Sequence, residues 1–240
     1  VGHLDLECFY CRTLGSPCPM LSLASGFILA SGFENTSMVK ELLKKKVPTA
    51  VIAREMPQIE VDTVSIDNFL GGYLATSHLV GLGHKKIAII ARDLWSNRER
   101  MRGYRQALLE ADLSFGKDVE YVTASTVDSG RELAEKLLDS TDPPTAIFAC
   151  NDLLAIGAIQ AAKQLGFRVP QDVSVVGFDN TVWASVSDPP LTTVSQPFRE
   201  MGREVMDLLV QEIEGKKKGK KRIVLLPELI VRQSTTQPNQ

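Results

Sequence analysis

Histidine, the commonest catalytic acid and base, is scarce in this chain of 240 residues. Its three histidines, His3, His78 and His84, stand beside no nucleophile motif, so a hydrolytic triad has no support. There is no G-x-S-x-G elbow, no H-E-x-x-H, no G-x-G-x-x-G and no glycine-rich phosphate loop ending in lysine. No enzymatic activity and no cofactor is therefore expected. Apolar runs fall well short of the roughly 20 residues of a membrane span, and no basic, apolar and small-residue leader opens the chain. The first residue is Val1 rather than Met, as when a leader or an upstream domain has been removed. Neither sign of charge dominates. A net charge of −2 gives nothing global to attract nucleic acid or an anionic membrane.

Cysteine is scarce as well. Cys8 and Cys11 form a single CxxC, Cys18 follows, and only His3 is left to complete a four-ligand set, which is thin for structural zinc. No strand-helix-strand context surrounds the pair, so a thioredoxin-like role is not expected either, nor is a metal. Cys150 ends an apolar strand and reads as a small core residue. Residues 1–25 follow no clear period.

What the chain does have is regular alternation. The plainest stretch runs from Thr145 to Asn180. A strand over Thr145–Cys150 breaks into Asn151-Asp152, a helix over Leu153–Leu165 stops at Gly166, and a strand over Val173–Phe178 breaks into Asp179-Asn180. Open parallel sheets bind ligands beyond the carboxyl ends of their strands, so these polar pairs mark a candidate site. Further strands are expected at Gly26–Ala30, Pro48–Ala53, Val61–Ile66, Ile87–Ala91, Val119–Thr123, Leu191–Ser195, Ile223–Leu226 and Leu229–Arg232. A short helix should bury Met38, Leu42 and Leu43, and a helix over Phe69–Leu82 should bury Leu70, Tyr73, Leu74 and Val80. Ser96 and Glu99 have capping-box spacing ahead of the stripe Met101, Tyr104, Leu108 and Ala111. Phe198–Ile213 is strongly amphipathic, and Lys216–Lys221 reads as a solvated basic loop. His84 reads as a polar helix end, and Trp183 as a packing or dimer residue. So many strand ends suit two α/β lobes with parallel sheets and right-handed crossovers better than one small sheet.

Seven stretches in order resemble the effector-binding core of LacI/GalR-type transcriptional regulators, a fold shared with type 1 periplasmic sugar-binding proteins. They are IDNFLGGYLAT (Ile66–Thr76), GHKKIAII (Gly83–Ile90), SNRERMRGYRQAL (Ser96–Leu108), PTAIFACNDLLAIGA (Pro144–Ala158), RVPQDVSVVGFDN (Arg168–Asn180), PPLTTVSQPFREMG (Pro189–Gly202) and LLPELIVRQST (Leu225–Thr235). The resemblance implies two Rossmann-like lobes joined by three crossovers. One lobe would hold residues 1–65 and 197–227, the other residues 66–196 and 228–240. It implies an interlobe site for a sugar or related small metabolite. Arg98, Asn151, Asp179 and Gln196 would contact the ligand, with Ser31, Arg54 and Asn68 on the facing wall. Arg98 would fork onto adjacent hydroxyls or a carboxylate, and ionised Asp179 would accept from hydroxyls.

The resemblance also implies a cytoplasmic homodimer that meets DNA only through a headpiece absent from this chain. Two features depart from the family pattern: Ala53 replaces a common aspartate, and Ser125 stands where an aromatic often stacks, with Trp95 as the alternative stacking surface. Residues 1–25 lack the family's opening strand and helix. A periplasmic sugar carrier, or a truncated regulator that dimerises without ligand, are the alternative readings.

Overall fold

A computed structural model describes residues 25–30, 36–114, 119–122 and 124–239; Ser31, His3 and the cluster Cys8, Cys11 and Cys18 lie outside the described residues. The chain opens with β1 (Phe27–Ala30), α1 (Ser37–Lys44), β2 (Thr49–Ile52), β3 (Asp62–Ile66) and α2 (Asn68–Gly81). It continues with β4 (Ile87–Arg92), α3 (Trp95–Glu110), β5 (Val119–Val122), α4 (Val127–Leu138), β6 (Ala146–Ala149) and α5 (Asp152–Gln164). The last elements are β7 (Ser174–Asp179), the five-residue α6 (Val182–Val186), β8 (Thr192–Ser195), α7 (Phe198–Ile213), β9 (Arg222–Leu225) and β10 (Glu228–Ile230). These strands form two sheets among the described residues, ordered β1-β2-β3-β9 and β10-β8-β7-β6-β4-β5. Every pairing is parallel except that of β10 with β8. The chain passes between the sheets after β3, after β8 and after β9.

The larger sheet is covered on both faces, which is why β4, β6 and β7 read as nearly continuous apolar runs. Helices α2 and α3 lie on one face and α4 and α5 on the other, and each pair crosses on mutual glycines. A Cβ at Gly72 would stand 2.0 Å from the carbonyl oxygen of Arg100, and one at Gly103 would stand 2.0 Å from that of Phe69. Gly130 and Gly157 do the same for α4 and α5, with Leu154 and Val127 as their neighbours. This corrects the expected buried face of α2. Its buried residues are Asn68, Gly71, Gly72, Ala75, Thr76 and Leu79, while Leu70, Tyr73, Leu74 and Val80 are only half-buried. Backbone-to-backbone approach selects small residues, and apolar bulk goes to the flanks. On the smaller sheet α7 buries Met201, Val205, Leu208 and Leu209, as its amphipathic stripe requires.

Three other expectations change. α1 buries Val39 and Leu42, and Met38 faces out at 44% exposure. Ser96 caps nothing: α3 starts at Trp95, its N-cap is Leu94, and no side chain caps it. The Lys216–Lys221 run is not wholly solvated. Lys217 pairs with the fully buried Asp62, Lys220 lies 3.7 Å from the same carboxylate and also pairs with Glu212, and the Lys221 N–H donates to Asp62 at 2.7 Å. The basic loop therefore folds back onto the start of β3. His84 is 2% exposed, so its imidazole is no helix-end ornament. Nε2 meets the Thr236 carbonyl at 2.9 Å and Nδ1 meets the Thr145 hydroxyl at 2.9 Å, tying the C-terminal segment under the sheet.

Candidate functional site

The polar cluster is built where β6, β7 and β8 run out. β6 breaks at Asn151, whose Oδ1 accepts the Leu154 N–H at 2.8 Å and so starts α5. β7 ends in two consecutive non-glycine residues with positive φ, Asp179 at 107° and Asn180 at 54°. L-residues rarely hold that conformation unless their surroundings fix it. Here the fixing groups are visible. The buried Asp152 accepts the Thr181 N–H and hydroxyl at 2.6 and 2.8 Å, and the Thr193 hydroxyl at 2.6 Å, clamping the turn after β7 to β8. Arg232 donates to Asn180 Oδ1 at 2.7 Å, and Asn180 Nδ2 donates to the Ser195 hydroxyl at 3.2 Å. Gln196, the residue after β8, donates from Nε2 to Asp179 Oδ1 at 2.5 Å.

The arginine at these strand ends is Arg100, not Arg98. Arg100 is 7% exposed. Its Nε donates to Asn68 Oδ1 at 2.9 Å and its Nη1 to the Cys150 carbonyl at 2.5 Å. Nη2 stands 4.0 Å from Asp179 Oδ1, and the guanidinium carbon lies 3.5 Å from the centre of the Phe178 ring. Arg98 is two residues away on the helix, where it pairs with Asp93 at 2.8 Å with 63% of its side chain exposed. The stripe itself held the clue. Asn97, Arg100, Met101, Tyr104, Ala107 and Leu108 all lie on the buried face, and position 98 falls on the other side of a helix with 3.6 residues per turn.

The structure thus joins Asn68, Arg100, Asp179 and Gln196 in one hydrogen-bonded and ionic chain, with Asn151 next to the Cys150 carbonyl that Arg100 holds. Arg54 follows β2 on the smaller sheet, one residue beyond Ala53, whose φ is 60°. Arg100, Asp152, Asn180 and Arg232 are the members that sequence reasoning passed over. Asp152 and Asn180 stood in the polar pairs already marked, but nothing in their spacing told which of each pair serves the turn.

Electrostatics set the cluster apart from the surface. Burial is the largest influence on Asp179 and pushes its carboxyl up to about 6; nearby Asp152 adds to the rise, while Arg100 and the Gln196 hydrogen bond oppose it. A quarter of its side chain, 24%, still reaches solvent, so a ligand can meet it. Burial raises Asp152 too, against its three hydrogen bonds and Arg232. Burial pulls the Arg100 guanidinium below its ordinary value, and Asp179, Cys150 and Asp152 counter it. The Cys150 thiol is pushed up to about 12, mainly by burial, and is no nucleophile. Among the described residues no group of three His, Cys, Asp or Glu side chains is placed to hold a metal ion. The cluster offers a charged donor, a tunable acceptor and amides that both donate and accept. That is equipment for hydrogen-bonding a polar molecule.

A model of the periplasmic binding protein-like domain matches residues 76–235. DegA, an HTH-type transcriptional regulator of Bacillus subtilis (strain 168), is 44% identical over 219 residues, covering 89% of this chain and 65% of DegA. The chain thus spans just under two thirds of that relative's length. The solved complex of the transcriptional regulator CelR with cellobiose shares the fold at a TM-score of 0.83 and 38% identity, over 88% of this chain and 66% of that one. A LacI family transcriptional regulator from Enterococcus faecium with bound ribose follows at 0.81 and 31% identity, over 89% of this chain and 80% of that one.

Proposed function

The chain belongs to the periplasmic binding protein-like family, in its branch of LacI-type transcriptional regulators, and from that membership we propose that it senses a sugar or related polyhydroxylated effector. The observation that carries this reading is the Arg100–Asp179 pair at adjacent strand ends, each group with polar partners that a ligand hydroxyl can replace. Arg100 is held by Asn68 and Asp179 by Gln196, and both amides sit where the chain crosses between sheets. A ligand that takes over either bond therefore acts on a crossover. Binding would shift the relative population of sheet orientations, which is how such a site controls a distant headpiece.

In this reading the lobes comprise residues 1–65 with 197–227 and residues 66–196 with 228–240, and the ligand lies between them. Asn151 and Asn180 complete the binding wall; the regulator acts as a cytoplasmic homodimer and reads DNA through a separate headpiece. The proposal is one of binding, without turnover. A thermal-shift screen of sugars, confirmed by titration calorimetry, tests it. Replacing Asp179 by alanine should cost about 2–5 kcal/mol of affinity for the sugar that binds, as loss of a buried charged contact does. Unchanged affinity removes Asp179 from the site.

A further inference from the structure

Cations gather at one rim of the smaller sheet, the end at which its parallel strands begin. Ala50 pairs with Asp62 and Thr63 with Arg222, so β2 and β9 start about 10 Å apart on either side of β3. Helices α1 and α7 pack on opposite faces of this sheet, and both end at this rim. Lys44, Lys45 and Lys46 close the first, and the Lys216–Lys221 run follows the second. Most acids there are already engaged. Glu41 pairs with Lys45 at 3.0 Å, Glu214 with Lys216 at 2.9 Å, and Asp62 and Glu212 with Lys217 and Lys220. Lys44, Lys46, Lys218 and Lys221 are exposed, and their ammonium groups have no partner among the described residues. Arg222 donates to the carbonyls of Met56 and Pro57, at 3.1 and 2.7 Å, and keeps its charge. Against these cations stands the exposed carboxylate of Glu60. In a chain of net charge −2 this is a local excess of positive charge.

Both groups of lysines are held in place. The fully buried Asp62 receives Lys217, Lys220 and the Lys221 N–H, and a loop that served only solubility would gain nothing from a buried ionic anchor whose desolvation is costly. Lys46 takes a positive φ of 56°, fixed by its N–H on the Leu43 carbonyl at 2.9 Å. Lysine is depleted from protein–protein interfaces but common on phosphate oxygens. Ile213 is the large apolar side chain exposed nearby, and no exposed aromatic stands there among the described residues. The rim therefore lacks both the anchor of a protein interface and the platform on which single-stranded bases stack.

We infer that this rim docks on the phosphate backbone of double-stranded DNA without reading its sequence. A duplex carries one charge per about 1.7 Å of axis, so several phosphates fall across the roughly 10 Å between the two lysine groups. β1 begins at the same rim, with the Phe27 N–H on the Pro48 carbonyl at 2.9 Å, so the chain arrives on the side these lysines face. A headpiece would then not be the sole contact with DNA: it would supply sequence, and the core would supply charge. No effector is needed for this contact.

Fluorescence anisotropy of a labelled duplex of arbitrary sequence, titrated with the whole chain in the absence of sugar, tests it. The chain should bind at about 50 mM salt, and contacts from the four lysines should make affinity fall roughly 150-fold by about 200 mM. Lys218→Gln with Lys221→Gln should cost about tenfold or more and roughly halve the salt dependence, and adding Lys44→Gln and Lys46→Gln should abolish binding. Lys85→Gln with Lys136→Gln, both exposed and remote from this rim, should bind as wild type does. No binding at low salt, or an equal loss in that control, overturns the inference. So does poly-glutamate of matched charge binding as tightly as the duplex, which would assign the rim to an acidic protein.

Discussion

Gly72→Ala joins the packing of α2 on α3 to the position of Arg100. The added methyl would stand 2.0 Å from the Arg100 carbonyl oxygen, 2.6 Å from its carbonyl carbon and 2.7 Å from its Cα. An ordinary carbon–oxygen contact needs over 3 Å, so the two helices must part by roughly 1 Å, and only backbone atoms are there to give way. Overpacking of this kind costs typically about 1–3 kcal/mol. Alanine's better helix propensity returns at most about 1 kcal/mol, since Gly72 sits inside α2. The expected net loss is about 1–2 kcal/mol, read as a lower urea midpoint with an unchanged slope. Gly202→Ala is the control. It lies inside α7 with nothing within 4 Å of the new Cβ, and should gain about 0.5–1 kcal/mol from propensity alone. Because the displaced backbone belongs to Arg100, Gly72→Ala should also weaken effector binding, which Gly202→Ala should not. A Gly72→Ala chain as stable as the Gly202→Ala chain would refute the close crossing.

Two further perturbations address buried charge. Lys217→Met leaves Asp62, itself fully buried, with Lys220 at 3.7 Å and one backbone N–H as its partners among the described residues, and should cost about 3 kcal/mol in urea unfolding; adding Asp62→Leu should recover much of the loss. A single variant as stable as wild type would show that the basic loop contributes nothing. Asp179 predicts a pH effect with a definite sign. Its folded carboxyl is raised from 3.8 to about 6, so between those values the folded chain holds a proton that the unfolded chain has released. This group's share of stability should therefore fall as pH climbs from about 4 to about 6, by up to about 3 kcal/mol, and stay level above. Asp179→Asn should remove that slope, and identical pH profiles for the two proteins would contradict the assignment.

The parts of this molecule that were legible from sequence are those dictated by apolar period. The strands β4, β6 and β7 are apolar on both faces, and each falls within about a residue of its expected bounds because nothing else can sit between two helical layers. The α7 stripe was readable for the same reason. What hydrophobicity conceals is close approach. Gly71, Gly72 and Ala75 form the inner face of α2, yet a scale that rewards bulk points to Leu70 and Leu74. The Ser96 cap failed through competition: the Leu94 N–H bonds back to the Arg92 carbonyl, and Asn97 Nδ2 donates to the same oxygen, so the helix begins before Ser96 is reached. In the polar cluster, Asp179 is legible as a strand end, whereas Gln196 is legible only through the family resemblance. Arg100 was missed because three arginines crowd one helical turn, and only the helix phase tells Arg98, Arg100 and Arg102 apart. Lys217 was missed because a buried partner 155 residues away leaves no local trace.

The proposal that Arg100 rather than Arg98 meets the effector rests on the phase of α3. Affinity should be measured for Arg100→Met and Arg98→Met side by side, by titration calorimetry with the sugar that stabilises the wild-type chain. Arg100→Met should lose affinity by about 2 kcal/mol or more, roughly a thirtyfold change, whereas Arg98→Met, on the exposed face with Asp93, should bind within about twofold of wild type. The reverse order, with Arg98→Met defective and Arg100→Met unimpaired, would contradict the placement of the effector at the ends of β6, β7 and β8.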